Sequence, residues 1–281
     1  MRNVALLGAG GKIGGRVIGK LAGAGFALRP VEPSPEGRAR LADQGFQAME
    51  LPQALEGAEA VVLALPDRLI GTVVEQMKPM LRPGTMLVIL DAAAPYSDHL
   101  PKDRPDLTYF ITHPCHPPLW SDSDDPAERA DSFGLVAPQS IVCALMQGPE
   151  EHYAAGEAIA KAMWGPILRC HRVEAEHIAI LEPGLSEMVA LPLCVAMGQA
   201  IDRCVEMGVP REAAYDFMVG HLNVMLAVVL GRLPNIFSDG AKMMIDFATP
   251  MMLQPDWRET LEPHRLKQAV ELITEGKARA A

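Results

Sequence analysis

Apolar residues fall in short runs through the first two thirds of the chain and in helical stripes afterwards. Asn3 to Leu7 and Ala60 to Leu65 are continuous hydrophobic runs, the pattern of parallel strands buried on both faces. Phe26 to Val31, Met86 to Leu90, Thr108 to Thr112, Ser140 to Leu145 and Pro166 to Arg169 read as further strands. Between them Arg16 to Leu21, Pro35 to Gly45, Leu51 to Leu55, Leu69 to Leu81 and Pro149 to Met163 carry helical periodicity. From Val173 the alternation stops. Val173 to Met207, Pro210 to Leu230, Asp239 to Phe247 and Pro263 to Glu275 all read as helices, with Gly208 as a stop and Pro210 as an N1 start. The pattern predicts an α/β domain over 1–172 and an all-helical domain over 173–281.

The first strand runs into Gly8-Ala9-Gly10-Gly11-Lys12-Ile13-Gly14 and then into a helix. Strand, glycine loop and helix N-terminus together make a cradle for a pyrophosphate. The spacing departs from G-x-G-x-x-G: counted back from Gly14 the first place holds Ala9, and counted from Gly8 the pattern is G-x-x-G-x-x-G. Glu32 ends the next strand, 18 residues beyond Gly14. An acid there accepts hydrogen bonds from the adenosine ribose and repels a 2′-phosphate. Residues 33–37 hold no arginine to bind that phosphate, so the expected cofactor is NAD, not NADP. The fold expected is a Rossmann, doubly wound parallel sheet. Its cofactor contacts are expected from Gly10, Gly11, Lys12, Ile13, Gly14 and Glu32, and from Pro66 and Asp67 after the next strand. Ala92 to Ala94 would leave room for the nicotinamide.

Chemistry concentrates in His113-Pro114-Cys115-His116-Pro117-Pro118. Each histidine precedes a proline, which disfavours helix and predicts a stiff, extended loop at a strand's carboxyl end. Imidazoles there suit proton transfer or metal ligation, whereas Cys115 reads as a packed thiol. The acidic stretch Ser121 to Asp131 is a solvated face or a lid. In the helical half Pro183, Gly184 and Pro192 predict a kinked helix that turns Glu182 and Glu187 toward a cleft.

Composition narrows the functions available. The 281 residues are 49% hydrophobic and 21% charged, with a net charge of −10, and the basic residues are scattered. Nucleic acid and anionic membrane are not expected partners. The longest unbroken apolar runs fall short of the roughly 20 residues that span a bilayer. A strand beginning at the third residue leaves no signal peptide, and five cysteines without C-x-x-C spacing suggest no disulfide framework. A cytoplasmic enzyme is expected. The apolar surfaces of 222–230 and 243–252 predict a homodimer.

With Gly8 to Gly14, Val61 to Asp67, Leu90 to Tyr96, Thr112 to Pro118, Ile141 to Glu151 and Ile180 to Pro183 in view, the chain resembles the 6-phosphogluconate dehydrogenase-like superfamily. The resemblance covers essentially its full length. It implies a Rossmann domain followed by a helical, dimer-forming domain. It also implies NAD-dependent oxidation of a small-molecule branched sugar acid, followed by an α-ketol shift. The helix after residue 173 lacks the lysine that decarboxylating members use, and Glu182 is the nearest polar candidate in its place. His113, His116 and Glu182 are then the expected catalytic residues. His113 with Glu182, and His116 as a third ligand to complete the set, would offer nitrogen and oxygen ligands to a divalent metal such as zinc. A plain or decarboxylating hydroxyacid dehydrogenase and a non-catalytic NAD-sensing protein are the alternatives.

Overall fold

The computed structural model describes residues 1–91, 93–97, 99–234 and 237–275; the expectation for Ala92 lies outside them. In chain order the elements begin with β1 (Asn3–Leu7), α1 (Gly14–Gly23), β2 (Ala27–Val31), α2 (Pro35–Asp43), α3 (Leu51–Leu55), β3 (Ala60–Leu63), α4 (Asp67–Met77) and β4 (Met86–Ile89). They continue with α5 (Ala93–Tyr96), β5 (Thr108–Pro114), α6 (Pro126–Ala130), β6 (Gln139–Gln147), α7 (Tyr153–Trp164) and β7 (Ile167–Arg172). The sheet order is β2-β1-β3-β4-β5-β6-β7.

Strands β1 to β5 are parallel, in keeping with the continuous apolar runs of β1 and β3. The sheet is not parallel throughout: β6 runs antiparallel to β5, and β7 runs parallel to β6. The connection from Pro114 to Gln139 holds only the five-residue α6, not a helix long enough to cover a sheet face and return the chain in parallel. Chain order reverses beside β1, where β2 leaves on one side and β3 on the other. In open α/β sheets that switch is where ligands bind.

Both sheet faces are covered. Val17, Ile18 and Leu21 of α1 and Ile159 and Met163 of α7 pack on Val4, Leu6, Val62 and Val88. Ile70, Val74 and Met77 of α4 pack on Ala5, Leu7, Val61, Leu63, Leu87 and Ile89. Each fully buried aliphatic side chain contributes roughly 1.5–3 kcal/mol, so the layered core holds the strand ends in register beneath the site.

Helix α8 (Ala175–Ala179) leads into a π-helical segment, Ile180–Ala190, followed by α9 (Leu191–Glu206). The expected kink is present: Glu182 has an extended backbone (φ −136°, ψ 109°) immediately before Pro183, the geometry proline imposes on its predecessor. The remaining helices are α10 (Arg211–Val229), α11 (Asp239–Met252) and α12 (Pro263–Glu275).

The chain forms two compact units, Met1–Glu182 with Lys267–Ala281, and Pro183–Leu266. The division thus falls at Glu182, not at the expected 172, because Ile178 and Ala179 pack on Ile111, Val142 and Ala144. By length and composition the run Ala175–Glu206 could cross a membrane (mean hydropathy 1.6), which the count of unbroken apolar runs missed. That is weak evidence, since the helix breaks at Glu182.

Candidate active site

The glycine loop answers the ambiguity in its spacing. Gly8, at φ +74°, is the tight-turn residue, and a Cβ there would lie 2.3 Å from the carbonyl of Ala64 at the end of β3. Gly14 is the close-packing residue that brings α1 onto β1, since its Cβ would lie 2.1 Å from the Gly8 carbonyl. One extra residue separates these two roles relative to G-x-G-x-x-G. Half-buried Gly11 and exposed Lys12 and Ile13 form the turn before α1, where amide groups and helix dipole suit a pyrophosphate.

Glu32 closes this cradle from within. It is 6% exposed; Gly10 N donates to Oε2 (3.0 Å), while Ser34 N (3.0 Å) and Ser34 Oγ (2.8 Å) donate to Oε1. The carboxylate therefore fixes the loop as well as marking the expected ribose position. Arginines do reach this region: Arg38 Nε donates to the Glu32 carbonyl (2.7 Å) and Arg40 Nε to the Gly10 carbonyl (2.9 Å). Scanning only residues 33–37 missed them because α2 brings back side chains one turn later.

Pro66 caps α4 and Asp67 opens it, at the carboxyl end of β3. Burial, and then the charge of Asp91 at the end of β4, push the Asp67 carboxyl up to about 6 against its own amide and His113. Asp91 Oδ1 accepts from Ala93 N (2.9 Å). Asp67 and Asp91 thus follow β3 and β4, and His113 lies near the end of the adjacent parallel strand β5; sequence reasoning saw Asp91 at a strand end but gave it no role.

His113 is still within β5, paired with Val142, so the stiff loop begins later than expected. Its Nδ1 lies 2.9 Å from the Leu90 carbonyl. A carbonyl only accepts, so Nδ1 carries the proton and Nε2 of the neutral ring keeps its lone pair. His116 departs from expectation, since despite preceding Pro117 it sits at φ +62°. A non-glycine residue in this left-handed region costs on the order of 1–3 kcal/mol. The fold accepts that strain while placing the His116 ring 6.5 Å from His113, edge to face, and 5.8 Å from Phe133. Cys115 is exposed, not packed.

The acidic stretch proves to be built structure. Asp125 caps α6 through Ala127 N (2.8 Å). Asp131 accepts from the amides of Phe133, Gly134, Val136 and Ala137 at 2.7–3.1 Å. Against burial, these backbone bonds draw its carboxyl down to about 2. The clasped loop presents Phe133, 51% exposed, to Arg16 (4.6 Å from ring centre to guanidinium carbon) and Lys12 (5.9 Å). Between this loop, α1 and the end of β5 lies a cavity of about 250 Å³ that both histidines line.

Among the described residues, no group of three His, Cys, Asp or Glu side chains could hold a metal ion, so His113, His116 and Glu182 do not make a ligand cage. Glu182 lies half-buried at the helix break, three residues beyond Ala179, which packs against the strands that carry His113.

A glycine cradle at a sheet switch point, with an imidazole at a neighbouring strand end and a helical unit following, defines a dinucleotide-dependent enzyme of the two-unit dehydrogenase class. Residues 121–274 match the family model for the phosphogluconate dehydrogenase (decarboxylating) C-terminal domain. A D-apionate oxidoisomerase of Rhizobium rhizogenes is 49% identical over 98% of this chain and 100% of its own. The crystal structure of a semialdehyde dehydrogenase NAD-binding protein from Cupriavidus necator, in complex with calcium and NAD, matches with a TM-score of 0.96. It is 44% identical, covering 98% of this chain and 100% of that one. A putative oxidoreductase from Jannaschia gives a TM-score of 0.91 at 51% identity, over 96% of this chain and 98% of that one. The chain belongs to the D-apionate oxidoisomerase family.

Proposed function

We propose that this protein is an NAD-dependent oxidoisomerase that oxidises D-apionate at its 2-hydroxyl and rearranges the product to 3-oxo-isoapionate. The observation that carries this reading is the 49% identity, over 98% of the chain, to a relative of that name. The geometry supplies the chemistry. In the oxidation, Nε2 of His113 takes the hydroxyl proton; bound NAD supplies the hydride acceptor. The second step is redox-neutral. A neighbouring tertiary hydroxyl loses its proton and becomes the new ketone as one carbon group migrates, and the former ketone oxygen is protonated. We assign the first of those proton transfers to His116 and the second to His113, which already holds the proton gained in the oxidation. Glu182 remains the acidic member of the set.

Gly10 to Gly14, Glu32, Pro66 and Asp67 are the proposed NAD contacts. The working form is a homodimer, since Phe217, Val224, Met243, Phe247 and Met251 are all exposed in the second unit and a second copy would cover them. A cytoplasmic setting, with no nucleic-acid or membrane partner, suits the five free thiols and the acidic charge. The test is to incubate the protein with NAD and D-apionate, follow NADH absorbance, and determine the product skeleton by NMR. An unrearranged 2-keto acid, or release of carbon dioxide, would replace the oxidoisomerase with a plain or decarboxylating dehydrogenase. Absence of NADH would remove the reading altogether.

A further inference from the structure

We infer that Arg16 is a substrate-binding residue, holding the carboxylate of the sugar acid inside the cavity that His113 and His116 line. The inference rests on the sugar-acid reading above and adds a specificity determinant to it.

The charge of the cavity is the first argument. In a chain of net charge −10, the lining of this cavity includes Lys12, Arg16, Lys20 and the two histidines, and no Asp or Glu. Arg16 and Lys20 sit four residues apart on one face of α1, with Lys12 in the turn just before it; like charges at that helical spacing are destabilising by roughly a few tenths of a kcal/mol. Lys20 is already used, donating to the carbonyls of Gly134 (2.9 Å) and Gly165. Among the described residues, neither Arg16 nor Lys12 has a carboxylate within ion-pair distance. Arg16 instead lies against the Phe133 ring, which orients the guanidinium without neutralising it.

The second argument is independent of charge. Gln139 and Trp164, at 1% and 9% exposure, also line the cavity. The Gln139 amide is oriented by its Nε2, which donates to the carbonyls of Gly134 (3.3 Å) and Trp164 (2.8 Å). Its Oε1 is left without a partner, and so is Trp164 Nε1. A buried polar atom without a partner costs about 1–3 kcal/mol. Both orphan atoms are closed off from solvent, so a small shift of the cavity wall would bring them to a hydroxylated anion: a substrate hydroxyl would then donate to Gln139 Oε1, and a carboxylate oxygen would accept from Trp164 Nε1. The volume of about 250 Å³ lies just below the range of roughly 300–1,000 Å³ for drug-sized ligands, which suits a small acid.

The anion could instead be the cofactor's pyrophosphate, so the experiment separates the two sources. Arg16→Met keeps the aliphatic stem on Phe133 and removes the charge. The expected result is a KM for D-apionate raised at least tenfold, a kcat changed less than threefold and an NAD dissociation constant within twofold of the unmutated enzyme's. Arg16→Lys should recover part of the KM. Trp164→Phe, which removes only the N–H donor, should raise KM two- to fivefold; a merely structural role would leave KM unchanged. An unchanged KM for Arg16→Met, or a loss of NAD affinity in place of substrate affinity, would overturn the assignment. Failure of the unmutated protein to oxidise D-apionate would instead fault the sugar-acid reading, while a KM effect of Arg16→Met confined to another hydroxy acid would correct the substrate alone.

Discussion

The two compact units solve the problem of burial differently. In the first, the central strands β1, β3 and β4 are buried along nearly their whole length, and helices close both sheet faces. In the second, α9, α10 and α11 contain almost no buried residue apart from Ala227, and large apolar side chains such as Phe217, Met243 and Phe247 face outward. A unit that satisfies its own core can hold strand ends to the tolerance that catalysis demands. A unit that does not must obtain cover from outside itself. The proposed reading places chemistry in the first unit and assembly in the second, and each half of it can be broken separately.

The largest expected effect follows from His113. If Nε2 is the base, His113→Ala should lower kcat by about 10²- to 10⁴-fold while leaving the NAD dissociation constant nearly unchanged, read by stopped-flow turnover and fluorescence titration. Turnover that survives dialysis against EDTA keeps His113 as a base. Loss on chelation, restored by calcium or zinc, would recast it as a ligand. Near-normal rates in both His113→Ala and Glu182→Gln would move the site elsewhere.

The second unit is tested by charge. Phe247 is 66% exposed and Met243 is too, so the double change Met243→Glu, Phe247→Glu places two carboxylates on the proposed dimer surface. Interface hot spots contribute 2 kcal/mol or more each. Sedimentation should therefore show a dimer dissociation constant raised roughly a hundredfold or beyond. A monomeric unmutated protein at micromolar concentration would end the assembly half of the comparison.

Asp67 probes the cost of holding the first unit's site. Its raised carboxyl binds a proton more tightly in the folded state, so the stability it contributes is fullest at low pH and falls as pH rises from about 4 through 6. Its upper bound is roughly 3 kcal/mol at neutral pH. Asp67→Asn should raise the melting temperature at pH 8 and leave it unchanged near pH 4, with some loss of turnover. An increase of equal size at both pH values would show that the charge is not the cause.

Legibility differed between the two units for physical reasons. The strands of the first were readable because burial on both faces leaves continuous apolar runs, and the helix break at Glu182 because proline dictates its neighbour's geometry. The antiparallel turn at β6 was not, since a connection without a long helix carries no periodic signal. Nor was His116: local sterics before proline favour an extended backbone, and tertiary packing overrode them. Phe133 and Arg16 meet only through the Asp131-clasped loop, and the cations of this cavity looked merely scattered along the sequence. Asp91 was visible as a strand-end acid, yet its influence on Asp67 needed the sheet order.

The smallest expected effect concerns cofactor choice. Glu32 was read as a ribose acceptor and phosphate repeller, but its carboxylate also holds Gly10 and Ser34, so Glu32→Ala would confound specificity with loosening of the loop. Glu32→Gln is the sharper change. Its Oε1 can still accept from the loop while the formal charge is gone. In the unmutated protein NAD should bind at least about tenfold more tightly than NADP, which is roughly 1.4 kcal/mol. Glu32→Gln should narrow that gap chiefly by improving NADP, because the repelled 2′-phosphate gains more than the ribose loses. Calorimetry with both cofactors separates the terms. If NAD affinity falls while NADP affinity stays constant, the carboxylate acts through the loop alone. Equal affinities in the unmutated protein would show that Glu32 does not discriminate at all.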